Sequence, residues 1–190
     1  MENESLLRLY AVNNDFVKDL HGNVNIHVFA NTDPRYNHSR KYLGVLVFIN
    51  GFSYYAPLSS PKDSDYIEIR GRKAIRNSIL PIIRMVETDE NGKRNLLGTI
   101  KLGNMIPVPE NMLVDYDLDN EIDADYKALV LKEKRFINRN EEMIIAYANQ
   151  LYTEKTDGVL SKGYLNSTFD FKMFETYITQ KYPTDFIFHS

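Results

Sequence analysis

The chain has 190 residues, 43% hydrophobic and 26% charged, with a formal charge of −3 and no cysteine. This is enough apolar chain to bury a sizeable core, and the lack of thiols excludes a disulfide framework, a cysteine nucleophile and a cysteine-ligated zinc site. No run approaches the ~18 consecutive apolar residues of a membrane span, and the opening MENESLLRLYAV lacks the basic and apolar regions of a signal peptide, so a cytoplasmic protein with no membrane partner is expected.

Leu6 to Val12 predicts a short strand, and Asn13-Asn14-Asp15 then supply the chemistry of a helix start. Phe16, Val17 and Leu20 give that helix one apolar side, and His21-Gly22-Asn23 end it. Val24 to Phe29 is apolar enough for a second strand, whereas NTDPRYNHSR (31–40) is rich in turn formers and predicts an exposed loop. Tyr42–Ile49 and Phe52–Leu58 are β-branched and aromatic runs joined by Asn50-Gly51, the pair that best suits a type I′ hairpin turn. Ile79–Val86 and Leu96–Leu102 repeat that arrangement around Asn91-Gly92, and Met105–Val108 adds a short strand.

Beyond an acidic stretch the period changes. Tyr126, Leu129/Val130, Phe136/Ile137, Met143/Ile144, Tyr147 and Leu151 recur at helical spacing. Glu133 and Asn140 interrupt that stripe, which is compatible with a break, a bend or a helix edge lining a polar groove. Gly158–Thr168 predicts a loop and Asp170–Lys181 a further amphipathic helix. Strands followed by helices predict an α+β fold: a twisted antiparallel sheet or half-barrel packed by surrounding helices. The expected organisation is a single domain, 1–190, with 1–109 mainly strands and 122–190 mainly helices.

Charge is distributed unevenly. Glu110, Asp115, Asp117, Asp119, Glu121, Asp123 and Asp125 lie together without a base, and removing those seven negative charges from −3 leaves +4. Arg70, Arg72, Lys73, Arg76 and Arg84 crowd one stretch, compatible with a locally basic face for phosphates. The Asp115-x-Asp117-x-Asp119 run fails as a calcium loop, because Asn120 and Tyr126 stand where glycine and glutamate belong. No phosphate-binding glycine loop is present. His21, His27, His38 and His189 have no metal-site or triad spacing; His38 remains of interest for its place before the first hairpin.

Ser59-Ser60-Pro61-Lys62, at the end of that hairpin, gathers two hydroxyls and a cation around a proline. It suits either a polar turn or a site for cleaving a phosphodiester. RNA cleavage through the 2′-hydroxyl needs a base, a cation for the charge growing on phosphate and a donor for the leaving oxygen. Lysine can serve as that cation, or as the base where desolvation lowers its pKa.

The runs KYLGVLVFINGFSYYAPLSSPK (41–62) and LLGTIKLGNMIPVP (96–109), with RKYLGV (40–45), SSPKDSDYI (59–67) and, more loosely, LRLYAV (7–12) and DYKALVLKEKRFI (125–137), resemble the ToxN/AbiQ family of type III toxin–antitoxin toxins. The resemblance implies a twisted antiparallel sheet wrapped by helices, related to the small barrels of MazF and Kid. It also implies a phage-resistance endoribonuclease that cuts single-stranded RNA, messenger RNA included, at a specific sequence. No metal or other cofactor is implied, and the product would end in a 2′,3′-cyclic phosphate. The implied partner is a small antitoxin RNA of repeated pseudoknots, with higher-order toxin–RNA assemblies.

Carried over by motif, Lys62 stabilises phosphate charge or acts as base, and Ser60 orients the scissile phosphate. Ser59 keeps a hydroxyl where relatives have threonine, and Tyr36 is the loop tyrosine. Arg40 suits a phosphate clamp but not a base, since guanidinium does not give up its proton. Lys41, His38, Arg70, Arg72, Lys73 and Arg76 complete the implied RNA contacts, with the acidic segment off the groove. Phe16 stands where relatives carry a tyrosine, which keeps a non-catalytic RNA-binding module as the alternative. A protein-interaction domain, in which SSPK is only a turn, is the further rival.

Overall fold

A computed structural model describes residues 7–29 and 40–183; Tyr36 and His38 lie outside them. β1 (Arg8–Val12) leads into α1 (Asn14–Asn23), whose first turn is capped by Asn13, its side-chain oxygen accepting the amides of Asp15 (2.9 Å) and Phe16 (3.1 Å). The strand expected at Val24–Phe29 does not form. β1 is paired on both sides, with β2 (Lys41–Ile49) and with β9 (Leu113–Asp115), so its edges are taken. Val24 and Val28 instead bury their side chains from a series of turns.

β2 and β3 (Phe52–Ser59) form the expected hairpin, with φ of 52° at Asn50 and 81° at Gly51, the geometry of a type I′ turn. A second turn with the same signature was hidden in the sequence. β4 (Tyr66–Ile69) and β5 (Arg72–Ile75) pair around Arg70 and Gly71, with φ of 51° and 74°. The hairpin of β6 (Ile83–Thr88) and β7 (Arg94–Ile100) departs from its expected turn. Only Gly92 has positive φ there, and the Asp89 carboxylate accepts the amides of Asn91 (3.0 Å) and Lys93 (2.9 Å).

The main sheet runs β6-β7-β3-β2-β1-β9, with β8 (Ile106–Pro107) also on β3. It has two ends, β6 and β9, and is not a closed barrel. β9 lies inside the acidic segment, where no strand was expected; it sits at the far edge from β7. α2 (Ala124–Arg139) and α3 (Glu141–Thr156) are separated at Asn140, so the interrupted stripe marks a break. A single turn, α4 (Lys162–Leu165), interrupts the expected loop, and α5 (Phe171–Lys181) follows.

The core joins both halves of the chain, from Leu7 on the sheet side to Ile178 on α5. Within it Glu175 of α5 accepts hydrogen bonds from Tyr54 (2.8 Å), Tyr152 (2.5 Å) and Lys172 (2.9 Å), so a buried carboxylate ties α5 to β3 and α3. Asp19 on α1 accepts from Tyr177, Lys181 and Tyr182, fastening α1 to α5 and the residue after it. Phe16 packs its ring edge-on against Tyr182 at 5.4 Å and is 2% exposed. It is a core residue of the α1–α5 contact. No helix among the described residues is long and apolar enough to cross a membrane.

Candidate RNA-cleavage site

β3 ends where Ser59 pairs with Thr99 of β7, and Thr99 Oγ1 donates to the Ser59 carbonyl oxygen at 3.5 Å. The chain then leaves the sheet as Ser60-Pro61-Lys62, all exposed. A short 3-10 turn, Asp63–Asp65, arrests it. Asp65, 1% exposed, accepts the Lys62 amide (3.0 Å) through one carboxylate oxygen and the Arg84 guanidinium (3.1 Å from Nε and from Nη2) through the other. The Asp65 amide returns a bond to the Lys62 carbonyl at 2.9 Å. Arg84 is fixed in turn by Nη1 donating to the Asn77 carbonyl (2.7 Å) and by its amide donating to Ser78 Oγ (2.8 Å). The exposed turn thus stands on a buried ion pair in which two guanidinium nitrogens share one carboxylate oxygen.

Two cations converge above one ring. Arg40 Cζ lies 4.5 Å and Lys62 Nζ 5.8 Å from the centroid of Phe29. Arg40 Nη1 donates to the Leu58 carbonyl at 3.1 Å, while its buried Nε has no hydrogen-bond partner among the described residues. The apolar segment expected as a strand therefore serves here by supplying Phe29. A further cation, Lys101, follows β7, its amide donating to the Pro57 carbonyl at 3.1 Å. Burial holds the Lys101 amine below the usual lysine pKa; Asp65 opposes that shift, and the charges of Lys62 and Arg84 reinforce it.

Lys41, expected to contact RNA, is corrected by the structure. It is 6% exposed and its amine forms an ion pair with Glu133 of α2, 4.9 Å from the Tyr126 ring centroid. Gly98 makes room for that carboxylate, since a Cβ there would stand 3.0 Å from Glu133 Oε1 and 3.0 Å from the Ser59 carbonyl. Burial raises the Glu133 pKa and Lys41 opposes the rise. Arg70, Arg72, Lys73 and Arg76 are exposed on or beside the β4–β5 hairpin, which springs from the same turn. Lys73 lies 3.5 Å from Asp63 and 4.2 Å from the Tyr66 ring centroid, and Arg76 Nε donates to the Tyr66 carbonyl at 3.1 Å.

The structure thus brings Ser59, Ser60, Lys62 and Arg40 together, sets the basic hairpin beside them, and withdraws Lys41. Asp65, Phe29 and Lys101 were missed. Asp65 had a signal, a carboxylate three residues after Lys62 at the start of a short turn; Phe29 and Lys101 had none outside the fold. Among the described residues no group of three or more histidine or carboxylate side chains is arranged to hold a metal ion.

The family model described as "Toxin ToxN, type III toxin-antitoxin system" matches residues 8–179. An endoribonuclease ToxN from Pectobacterium atrosepticum is 29% identical over 144 residues, 75% of each chain. An endoribonuclease AbiQ from Lactococcus lactis subsp. lactis is 28% identical over 146 residues, 75% of this chain and 74% of that one. A solved structure from work on selective toxin inhibition by a non-coding RNA pseudoknot superposes with a TM-score of 0.71 at 25% identity, covering 92% of this chain and 96% of the other.

Proposed function

The chain belongs to the ToxN family of type III toxin–antitoxin toxins, and we propose that the turn at Ser59–Lys62 is where it cuts RNA. It is an endoribonuclease toxin of an anti-phage type III system, inhibited by a non-coding RNA pseudoknot. The observation that carries the site is the convergence of Lys62 and Arg40 over Phe29 at the end of the strand that presents Ser59 and Ser60.

In this reading a single-stranded RNA, messenger RNA among its sources, lies across the turn with its scissile phosphate between Lys62 and Arg40. The two cations offset the charge that grows on the non-bridging oxygens as the 2′-oxygen attacks, which is where fixed charge accelerates such a step. Ser60 and Ser59 donate to those oxygens and set the phosphate's orientation. Arg40 acts only as a clamp, because guanidinium keeps its proton. Arg70, Arg72, Lys73 and Arg76 extend the positive track along the flanking backbone, and the antitoxin RNA occupies the same track when it inhibits. Tyr36 and His38, which precede Arg40 in the sequence, are candidates for proton transfer. With the 2′-hydroxyl as nucleophile the chemistry proceeds without metal and leaves a 2′,3′-cyclic phosphate. The cytoplasm, which holds RNA and suits a chain without cysteine, is the proposed compartment.

The test is product analysis on single-stranded RNA in EDTA. Cyclic phosphate ends, and no cut where the scissile 2′-hydroxyl is replaced by hydrogen, support this reading. Cuts that persist at a 2′-deoxy position, or that require added divalent metal, overturn it. Retention of RNA without any cut favours the non-catalytic binding module.

A further inference from the structure

We propose that Lys101 is a further catalytic residue: the base that takes the proton from the attacking 2′-hydroxyl. The inference rests on the nuclease reading above and deepens it.

Its first support is placement. Ser59 pairs with Thr99, and alternation along a strand returns residue 101 to the face of residue 99. The Lys101 amide continues that ladder to Pro57, two residues before Ser59. Lys101 therefore stands on the same side of the sheet end as Ser59. Arg84, which pairs with Thr99 across the other strand, stands on that side too. Lys62 and Asp65 from the turn and Arg84 from β6 are the charged groups within electrostatic reach of its amine, and Arg40 reaches the neighbouring Leu58 carbonyl.

Its second support is chemistry. The proton acceptor must be a group that is neutral part of the time. Among the described residues at the turn, Arg40 and Arg84 are excluded as guanidinium ions, the serines carry no base, and Lys62 is the exposed cation that serves the phosphate. Lys101 is half-buried, and burial, with the positive charges of Lys62 and Arg84 and against the opposing charge of Asp65, shifts its amine toward the neutral form. The step balances without a co-reactant. The 2′-hydroxyl proton passes to Lys101 Nζ as the 2′-oxygen forms its bond to phosphorus. The bond from phosphorus to the 5′-oxygen breaks with its electron pair on that oxygen, which takes a proton from the Lys62 ammonium. Water then removes the proton from Lys101 and returns one to Lys62.

The chain has no cysteine, which permits a direct test. Lys101→Cys, alkylated with 2-bromoethylamine, carries at that one position a lysine analogue with a less basic amine. Lys101→Gln and unalkylated Lys101→Cys are expected to cut RNA at least about 10²-fold more slowly than wild type, and Lys101→Arg, which keeps the charge but not the base, is expected to restore little. Alkylation is expected to restore cleavage and to move the rising limb of the pH–rate profile to lower pH. Melting temperature and retention of antitoxin RNA identify folded variants. A folded Lys101→Arg that cuts like wild type, a restored analogue whose limb has not moved, or a folded analogue that stays inactive would each overturn the proposal. Intact RNA with wild-type protein would instead overturn the nuclease reading beneath it.

Discussion

Arg40 and Lys41 are neighbours in sequence and serve opposite regions of the molecule. Arg40 reaches the turn that carries Lys62, half-exposed over Phe29. Lys41 points under the sheet to Glu133 of α2 and is closed off from solvent. A strand sends consecutive side chains to opposite faces, so a single step decides whether a cation faces the proposed site or a helix. A basic residue in the motif is therefore no evidence of RNA contact until its face is known. The two regions also differ in how charge is held. The site turn exposes its cations and buries the pair beneath them, Asp65 and Arg84, whereas the helical side buries the pair itself.

The strongest way to break this comparison is to remove one lysine from each region. Lys62→Ala is expected to slow RNA cleavage by about 10²–10³-fold, with little change in melting temperature because the residue is exposed. Next in size is Asp65→Ala, which leaves the Arg84 guanidinium buried without its carboxylate. Urea unfolding is expected to show a loss of about 3–5 kcal/mol, together with slower cleavage as the Lys62 turn loosens. Lys41→Met is expected to destabilise by a comparable amount through stranded Glu133, and Lys41→Met with Glu133→Leu to recover most of it.

A smaller effect separates contact with RNA from support of the fold. Arg72→Ala is expected to weaken RNA binding at every sequence and to reduce the slope of log affinity against log salt by about 1. A well-folded Lys41→Met is expected to leave that slope unchanged. The smallest effect appears at alkaline pH. Burial raises the pKa of Tyr42 and Tyr126, and of Tyr54, where the Glu175 hydrogen bond adds to it, all above the ordinary 10.0. The folded state therefore holds protons that the unfolded chain releases. That stabilisation is complete below pH 10 and is lost as pH rises through the folded values, which chemical denaturation at stepped pH measures.

The sequence carried the first hairpin openly, because Asn50-Gly51 is a turn whose backbone few other pairs adopt. It carried the β4–β5 hairpin poorly: an arginine at positive φ is uncommon, and the same residues were read for charge. Glu133 was visible as an anomaly in a helical stripe, yet its partner lies 92 residues away, a distance no local pattern spans. The turn with Ser59, Ser60 and Lys62 was legible as a motif because its chemistry is contiguous. Lys101 was not, since its relation to Ser59 exists only through strand pairing.

The most direct measurement is a side-by-side cleavage assay of wild type, Lys62→Ala and the Lys41→Met/Glu133→Leu pair on one single-stranded RNA, with product ends mapped in EDTA. The account predicts cyclic phosphate ends from wild type and from the double variant, at similar rates, and cutting about 10²–10³-fold slower by Lys62→Ala. Undiminished cutting by Lys62→Ala, or loss of cutting by a folded double variant, would contradict it.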